Sequence, residues 1–193
     1  FDIKYNTDYD TKDLSLDMKM HKAISIIQFK LEGQLIMRRP EFAMEDRMLL
    51  HRIDYENKAL VVDGVSYAMK DVDFPTVNRE RPYELTKEEE QLMERLRQAF
   101  VKCEKLQKHV RFLFSKGGLY KVYNSNLLYH GCVPMDEEGN FNEVNVYGEH
   151  FSGKELYDVL EHYARKGYYA HNNLQEKLKG QDIIWYIWAG PNS

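Results

Sequence analysis

Leu119-Tyr120-Lys121-Val122-Tyr123-Asn124-Ser125-Asn126-Leu127-Leu128-Tyr129-His130 is the stretch on which the fold reading turns. Two runs rich in leucine, valine and tyrosine flank Asn124-Ser125-Asn126, and that cluster of turn formers predicts two strands joined by a tight turn. Directly before them stand Gly117-Gly118, a good stop for a helix, and before those the apolar spacing is helical. The chain therefore changes texture at this point. Its expected class is α/β, or α+β for the 193 residues taken alone, with 1–118 mainly helical around one hairpin and 119–193 mixed.

Upstream of the glycines, Leu92, Leu96, Phe100, Cys103, Leu106, Val110 and Leu113 hold one face of a single predicted helix. Thr86-Lys87-Glu88-Glu89 opens it as a capping box, in which hydroxyl and carboxylate each satisfy an orphan amide. Its charges read as a solvated face. Residues 71–85 contain two prolines and little periodicity, which predicts a connecting loop. Ala59-Leu60-Val61-Val62-Asp63-Gly64-Val65-Ser66-Tyr67 predicts a hairpin, because Asp63-Gly64 supplies the positive φ values of a type I′ turn. A short helix is expected over 41–52. A longer one is expected over 14–39, with Leu16, Met20, Ile24, Ile27, Leu31 and Leu35 on one face, Asp13 or Ser15 at its cap and Pro40 at its end.

Downstream, Asp136-Glu137-Glu138-Gly139-Asn140 predicts a turn and 144–151 an extended run broken at Gly148. Ser152 and Glu155 have capping-box spacing before a helix that runs past Tyr163 towards Leu178, with Gly167 a candidate interruption. Ile183-Ile184-Trp185-Tyr186-Ile187-Trp188 is too apolar for a surface strand and too short for a helix, which predicts a closing strand.

Composition narrows the function classes. Of 193 residues, 14 are Tyr, 9 Phe and 2 Trp, too many large apolar bodies for a solvated coil. No run approaches the roughly 20 apolar residues that span a bilayer. With 27 Lys+Arg against 31 Asp+Glu, a net charge of −4, there is no global basic field. Nucleic acid and anionic membranes are therefore not expected partners. Cys103 and Cys132 are too few and too far apart for a disulfide framework or a structural zinc pair, so free thiols in a reducing cytoplasm are expected. The chain opens on Phe1 without Met and stops just after an apolar run, which suggests a piece of a longer protein.

Motifs for catalysis are sparse. There is no H-E-x-x-H, G-x-S-x-G, P-loop or G-x-G-x-x-G, and Phe114-Ser115-Lys116-Gly117-Gly118 reads better as a helix end than as a phosphate loop. His21, His51, His109, His150, His162 and His171 lack a neighbour at ligand spacing and read as surface or boundary residues. His130 differs. It ends an apolar strand and precedes Gly131, and a histidine there can point into the crevice where open α/β sheets place ligands. Neutral imidazole in such a place suits Mn, Fe or Zn; the plainer alternative is a histidine that merely ends a strand. Arg38-Arg39 could hold a phosphate through bidentate contacts or simply complement a helix dipole. Asn192, in Gly190-Pro191-Asn192-Ser193 at the exit of the closing strand, could line a sugar-phosphate site or belong to a structural turn.

Leu127-Leu128-Tyr129-His130-Gly131-Cys132-Val133-Pro134 resembles the strand-His-Gly-x-x-Pro block of calcineurin-like metallophosphoesterases. Three ordered segments resemble, more specifically, the bacterial class 3 fructose-1,6-bisphosphatases. These are Phe29-Lys30-Leu31-Glu32-Gly33-Gln34-Leu35-Ile36-Met37-Arg38-Arg39-Pro40-Glu41-Phe42, then Tyr123-Asn124-Ser125-Asn126 with the block just quoted, and Ile184-Trp185-Tyr186-Ile187-Trp188-Ala189-Gly190-Pro191-Asn192-Ser193. The resemblance implies an Mn(II)-dependent, cytoplasmic hydrolase of fructose 1,6-bisphosphate acting in gluconeogenesis, with self-association into a homo-oligomer left open. It implies a metallophosphoesterase-type sandwich carrying a helical insertion, with His130 as one metal ligand. The family's other ligands lie in G-D-x-H, G-D-x-x-D-R-G and G-N-H-D/E blocks, none of which occurs here. The 193 residues alone are therefore expected to be inactive. Competing readings are a protein phosphatase sharing the strand-His-Gly block, and a non-enzymatic helical interaction domain using Leu16/Ile27/Leu31 or Leu96/Val110.

Overall fold

The structure is a computed structural model that describes residues 16–129 and 131–192. The described residues form five helices, three short 3-10 turns and seven short strands in a mixed α+β arrangement. They separate into two compact units. One takes the residues up to Pro40 together with Met44–Leu96; the other takes Glu41–Ala43 and the chain from Arg97 onward.

The first unit is built on α1 (Leu16–Arg38). The expected caps Asp13 and Ser15 lie outside the described residues. The buried face differs from the expected stripe: Leu16, Met20 and Ile24 are exposed, whereas Ile26, Ile27, Lys30, Gly33, Leu35 and Ile36 are buried. Gly33 and Lys30 shift that face. The Tyr83 ring lies so close over Gly33 that a Cβ would meet Tyr83 Cδ1 at 2.1 Å. Lys30 is wholly buried, its Nζ 2.7 Å from Glu89 Oε2 and 2.6 Å from the Thr76 carbonyl. Ile26, Leu50 and Tyr83 form the core, with Met48, Ile53, Phe74 and Val77 around them.

Residues 41–52 are not one helix. They form 3-10 turns at Pro40–Phe42, Glu45–Arg47 and Leu50–Arg52, because Ala43 sits at φ 50, a left-handed value that a continuous helix cannot contain. The hairpin is as expected. β2 (Ala59–Val62) and β3 (Val65–Ala68) turn through Asp63 at φ 51 and Gly64 at φ 77, and β1 (Ile53–Asp54) extends the sheet on β2. The capping box also forms, with Thr86 N–H donating to Glu89 Oε2 at 2.8 Å and Glu89 N–H to Thr86 Oγ1 at 3.2 Å.

The predicted single helix is two, α2 (Lys87–Lys102) and α3 (Glu104–Lys116). Cys103 is extended between them, and Gln107 stabilises the break by donating its side-chain amide to the Phe100 carbonyl at 3.1 Å. On the apolar face of this pair Leu96, Phe100 and Leu113 are exposed, and Leu92, Leu106 and Val110 are half-buried.

In the second unit β4 (Tyr120–Tyr123) pairs antiparallel with β5 (Asn126–Tyr129), and β6 (Val144–Val146) with β7 (Glu149–Phe151). Both use two-residue turns with two positive φ values, Asn124 and Ser125 in one, Tyr147 and Gly148 in the other. A tyrosine at φ 56 is strained. Its surroundings hold it there: the Tyr147 hydroxyl donates to the Lys179 carbonyl at 2.6 Å and its ring meets Tyr163 at 4.8 Å.

α4 (Gly153–Tyr169) and α5 (Leu174–Ala189) form a helical hairpin. Ser152 makes no side-chain cap, and the residue after it, Gly153, has φ 51, outside the helical range. Gly167 does not interrupt α4. It faces Gly180 of α5, where the backbones nearly touch, and Leu156, Leu160, Ile183, Tyr186 and Phe42 bury the core alongside. The expected closing strand 183–188 is the second half of α5. Asn173 caps that helix ten residues earlier by accepting from Glu176 N–H at 3.1 Å, so the apolar run extends an established helix.

Candidate functional site

The residues after β5 and those after α5 meet at one cavity of about 320 Å³ in the second unit. Gly131, Cys132 and Pro134 form one side; Tyr157 of α4, Trp188 of α5 and Asn192 contribute to the others. Gly131 has φ 97, so the chain bends sharply there in a conformation that favours glycine. The segment is tied to α4 by the Tyr157 hydroxyl, which donates to the Cys132 carbonyl at 2.8 Å. The Tyr157 ring packs edge-on against Tyr120 at 5.9 Å. Burial, then the Cys132 and Tyr129 groups beside it, push the Tyr157 phenol above its ordinary pKa, so it is a donor at neutral pH.

Farther along the same segment, Pro134 accepts from Asn142 N–H at 3.0 Å, and Asp136 closes the expected 136–140 turn. The side chain and amide of Asn140 hold the Asp136 carboxyl below its usual pKa. Elsewhere on α4, Arg165 caps α3 by donating to the Phe114 and Gly117 carbonyls while pairing with Glu161 at 2.6 Å.

His130 lies outside the described residues; its neighbours Tyr129 and Gly131 are described, and β5 leads up to it in a two-stranded antiparallel ribbon. Asn192 lines the cavity, and it follows a helix, not a strand. Its side chain and backbone both hydrogen-bond to Tyr186, whose phenol burial pushes up while those bonds pull it down. Arg38 is exposed at the end of α1, and Arg39 is half-buried with its N–H donating to the Ile36 carbonyl at 3.1 Å. Both belong to the first unit, and the cavity to the second.

The other six histidines are exposed. Among the described residues, no group of three or more His, Cys, Asp or Glu side chains is placed to hold a metal ion. The described residues thus do not compose a metal site by themselves. Tyr157 is the cavity residue that sequence reasoning missed. Its only signal was its place on the α4 face shared with Leu156 and Leu160, and nothing in the spacing says which loop that face would meet.

Comparison with known proteins gives a consistent answer. The profile of the family described as "Firmicute fructose-1,6-bisphosphatase" matches residues 1–193. A curated protein of Alkaliphilus metalliredigens named "Fructose-1,6-bisphosphatase class 3" is 53% identical over 193 residues, covering 99% of this chain and 29% of the relative. Proteins of the same name from Clostridium novyi and Clostridium acetobutylicum are 48% and 49% identical, covering 97% and 99% of the chain and 28% and 29% of their own lengths. The chain therefore spans less than a third of the curated relatives it matches. No solved structure matches it.

Proposed function

The chain belongs to the Firmicute fructose-1,6-bisphosphatase family, and from that premise we propose that the full-length protein removes the 1-phosphate of fructose 1,6-bisphosphate. The products are fructose 6-phosphate and phosphate. The observation that carries this reading is 53% identity, over 99% of the chain, to a protein named for that activity. The sugar bisphosphate is the small-molecule partner, and the enzyme acts in the cytoplasm. Among the described residues no helix is long and apolar enough to cross a membrane.

The contribution of these 193 residues is partial. His130 supplies one ligand to Mn(II), whose role when bound is to stabilise charge on the phosphoryl group; the remaining ligands come from the rest of the protein. Residues 119–193 form part of a metallophosphoesterase-type sandwich, and 1–118 form its mainly helical insertion. Gly131 provides the bend after the histidine, Tyr157 secures the loop through the Cys132 carbonyl, and Asn192 borders the same cavity. Arg38 and Arg39 offer guanidinium groups suited to phosphate.

The test is phosphate release by the purified full-length protein with Mn(II). Release from fructose 1,6-bisphosphate is expected. No release from that sugar with ready release from a phosphopeptide would transfer the protein to the phosphoprotein phosphatases.

A further inference from the structure

We propose that Trp188 is a specificity-determining residue, whose indole face holds the neutral sugar ring of the substrate. The inference rests on the reading of the full-length protein as a sugar bisphosphatase, and adds which part of the substrate the cavity takes.

The starting observation is an indole that the fold does not use. Trp188 is 76% exposed, whereas Ile183 and Tyr186 on the same helix are buried. Among the described residues its ring pairs with no other aromatic ring, and its indole N–H has no acceptor. A tryptophan in a core buries roughly 150–250 Å² and finds a partner for that N–H. Trp188 does neither, although it lines the cavity of about 320 Å³ described above. The ring therefore stands at the rim, with the cavity on one side and solvent on the other.

The chemistry of the cavity narrows the ligand. Leu156 and Leu160 of α4 are buried in its wall, and Ile187 of α5 is half-buried beside them. The polar groups are few and neutral. Asn192 brings a side-chain amide that Tyr186 engages only in part, and the Cys132 carbonyl keeps a second lone pair after accepting from Tyr157. Among the described residues the lining holds no Lys, Arg, Asp or Glu side chain. A phosphate seated there would lose water without gaining a counter-charge, which is costly.

A sugar ring has no such cost. Its hydroxyls suit the amide and the carbonyl, and its C–H groups, made slightly positive by the adjoining oxygens, suit the negative face of an indole. A mostly apolar pocket with a few convergent polar groups is the usual form of a small-molecule site. Gly190 fixes the two recognition groups relative to each other. Its N–H donates to the Tyr186 carbonyl at 2.6 Å, and a Cβ there would lie 2.6 Å from the same oxygen, so the chain turns tightly between Trp188 and Asn192. The cavity thus takes the ring of the substrate, and the phosphoryl groups are held outside this lining.

Calorimetric titration of the full-length protein in Mn(II), with fructose 6-phosphate and separately with inorganic phosphate, tests this without turnover. Trp188→Leu should weaken fructose 6-phosphate binding about 10-fold, Trp188→Tyr should restore most of it, and phosphate binding should stay within about 2-fold in both. Unchanged fructose 6-phosphate affinity in Trp188→Leu, whatever its thermal midpoint, would make Trp188 a packing surface for the rest of the polypeptide and overturn the proposal. Equal losses for the two ligands would place the residue at the phosphate, and a parent protein that binds phosphate but not fructose 6-phosphate would leave the ring without a site; either overturns it. Phosphate release from fructose 1,6-bisphosphate by the parent protein, assayed separately, decides the proposed activity independently of these titrations.

Discussion

Replacing Gly180 by alanine should destabilise the protein even though alanine is the better helix former. A Cβ at Gly180 would lie 2.1 Å from Gly167 N, 2.3 Å from the Tyr163 carbonyl oxygen and 2.5 Å from Gly167 Cα. All three are backbone atoms, so no side chain can swing aside. Restoring contacts near 3.4 Å requires α4 and α5 to move apart by about 1.3 Å, which loosens the packing of Leu160 and Ile183 beside the crossing. Overpacking of this kind typically costs about 1–3 kcal/mol, and contact with rigid backbone belongs at the upper end. The gain from glycine to alanine in a helix interior is about 1 kcal/mol. The net expectation is a loss of about 2 kcal/mol, read from denaturant unfolding at an unchanged m-value. Gln175→Ala, at an exposed site in the first turn of α5, should change stability by about 0.5 kcal/mol or less. A Gly180→Ala protein as stable as the parent, or more so, would mean that the backbones do not approach as described.

Lys30→Met should cost about 3–5 kcal/mol in unfolding free energy, because it leaves the buried Glu89 carboxylate without its cation. Burial alone pushes Glu89 up, but the Lys30 ammonium and the Thr86 amide together hold its pKa below the ordinary 4.5. Its ionised form thus stabilises the fold above about pH 4.5 and the contribution fades as pH falls through the lowered native value; acid titrations of the Lys30→Met protein should lack that component. Tyr157→Phe removes the bond to the Cys132 carbonyl and should cost about 1 kcal/mol of stability, read from denaturant unfolding. Unchanged stability would mean that this bond does not hold the loop. His130→Ala should abolish most turnover and one metal contact at nearly constant thermal midpoint, with exposed His162→Ala as the neutral control; normal metal content and activity would remove His130 from the site.

Local signals were legible wherever one short segment contains its own reason. Thr86 and Glu89 satisfy each other, and Asp63-Gly64 carries the turn that joins β2 and β3. The break at Cys103 was not legible, because the group that compensates it, Gln107, would look like any exposed helical glutamine. Tyr147 at φ 56 was equally hidden. The break of the extended run at Gly148 is legible, but the strained residue precedes it and is held by Lys179 and Tyr163, distant in sequence. The three segments that resemble the bisphosphatases were legible as sequence; their positions in space were not.

The closing apolar run shows why. Taken alone, 183–188 has six residues and no cap, and either period fits. Burial decides: Gly180, Asp182, Ile183 and Tyr186 are buried while Gln181, Ile184 and Trp188 are exposed, a three- and four-residue rhythm instead of alternation. The cause lies upstream, in the Asn173 cap and in Gly180, whose missing side chain lets α5 return along α4 at near-backbone contact. That return shapes the cavity. A helix of sixteen residues antiparallel to α4 brings Trp188 and Asn192 back beside Leu156 and Tyr157, where Gly131 and Cys132 also arrive. The second and third family-like segments therefore share a cavity through the geometry of a helical hairpin that neither segment encodes by itself.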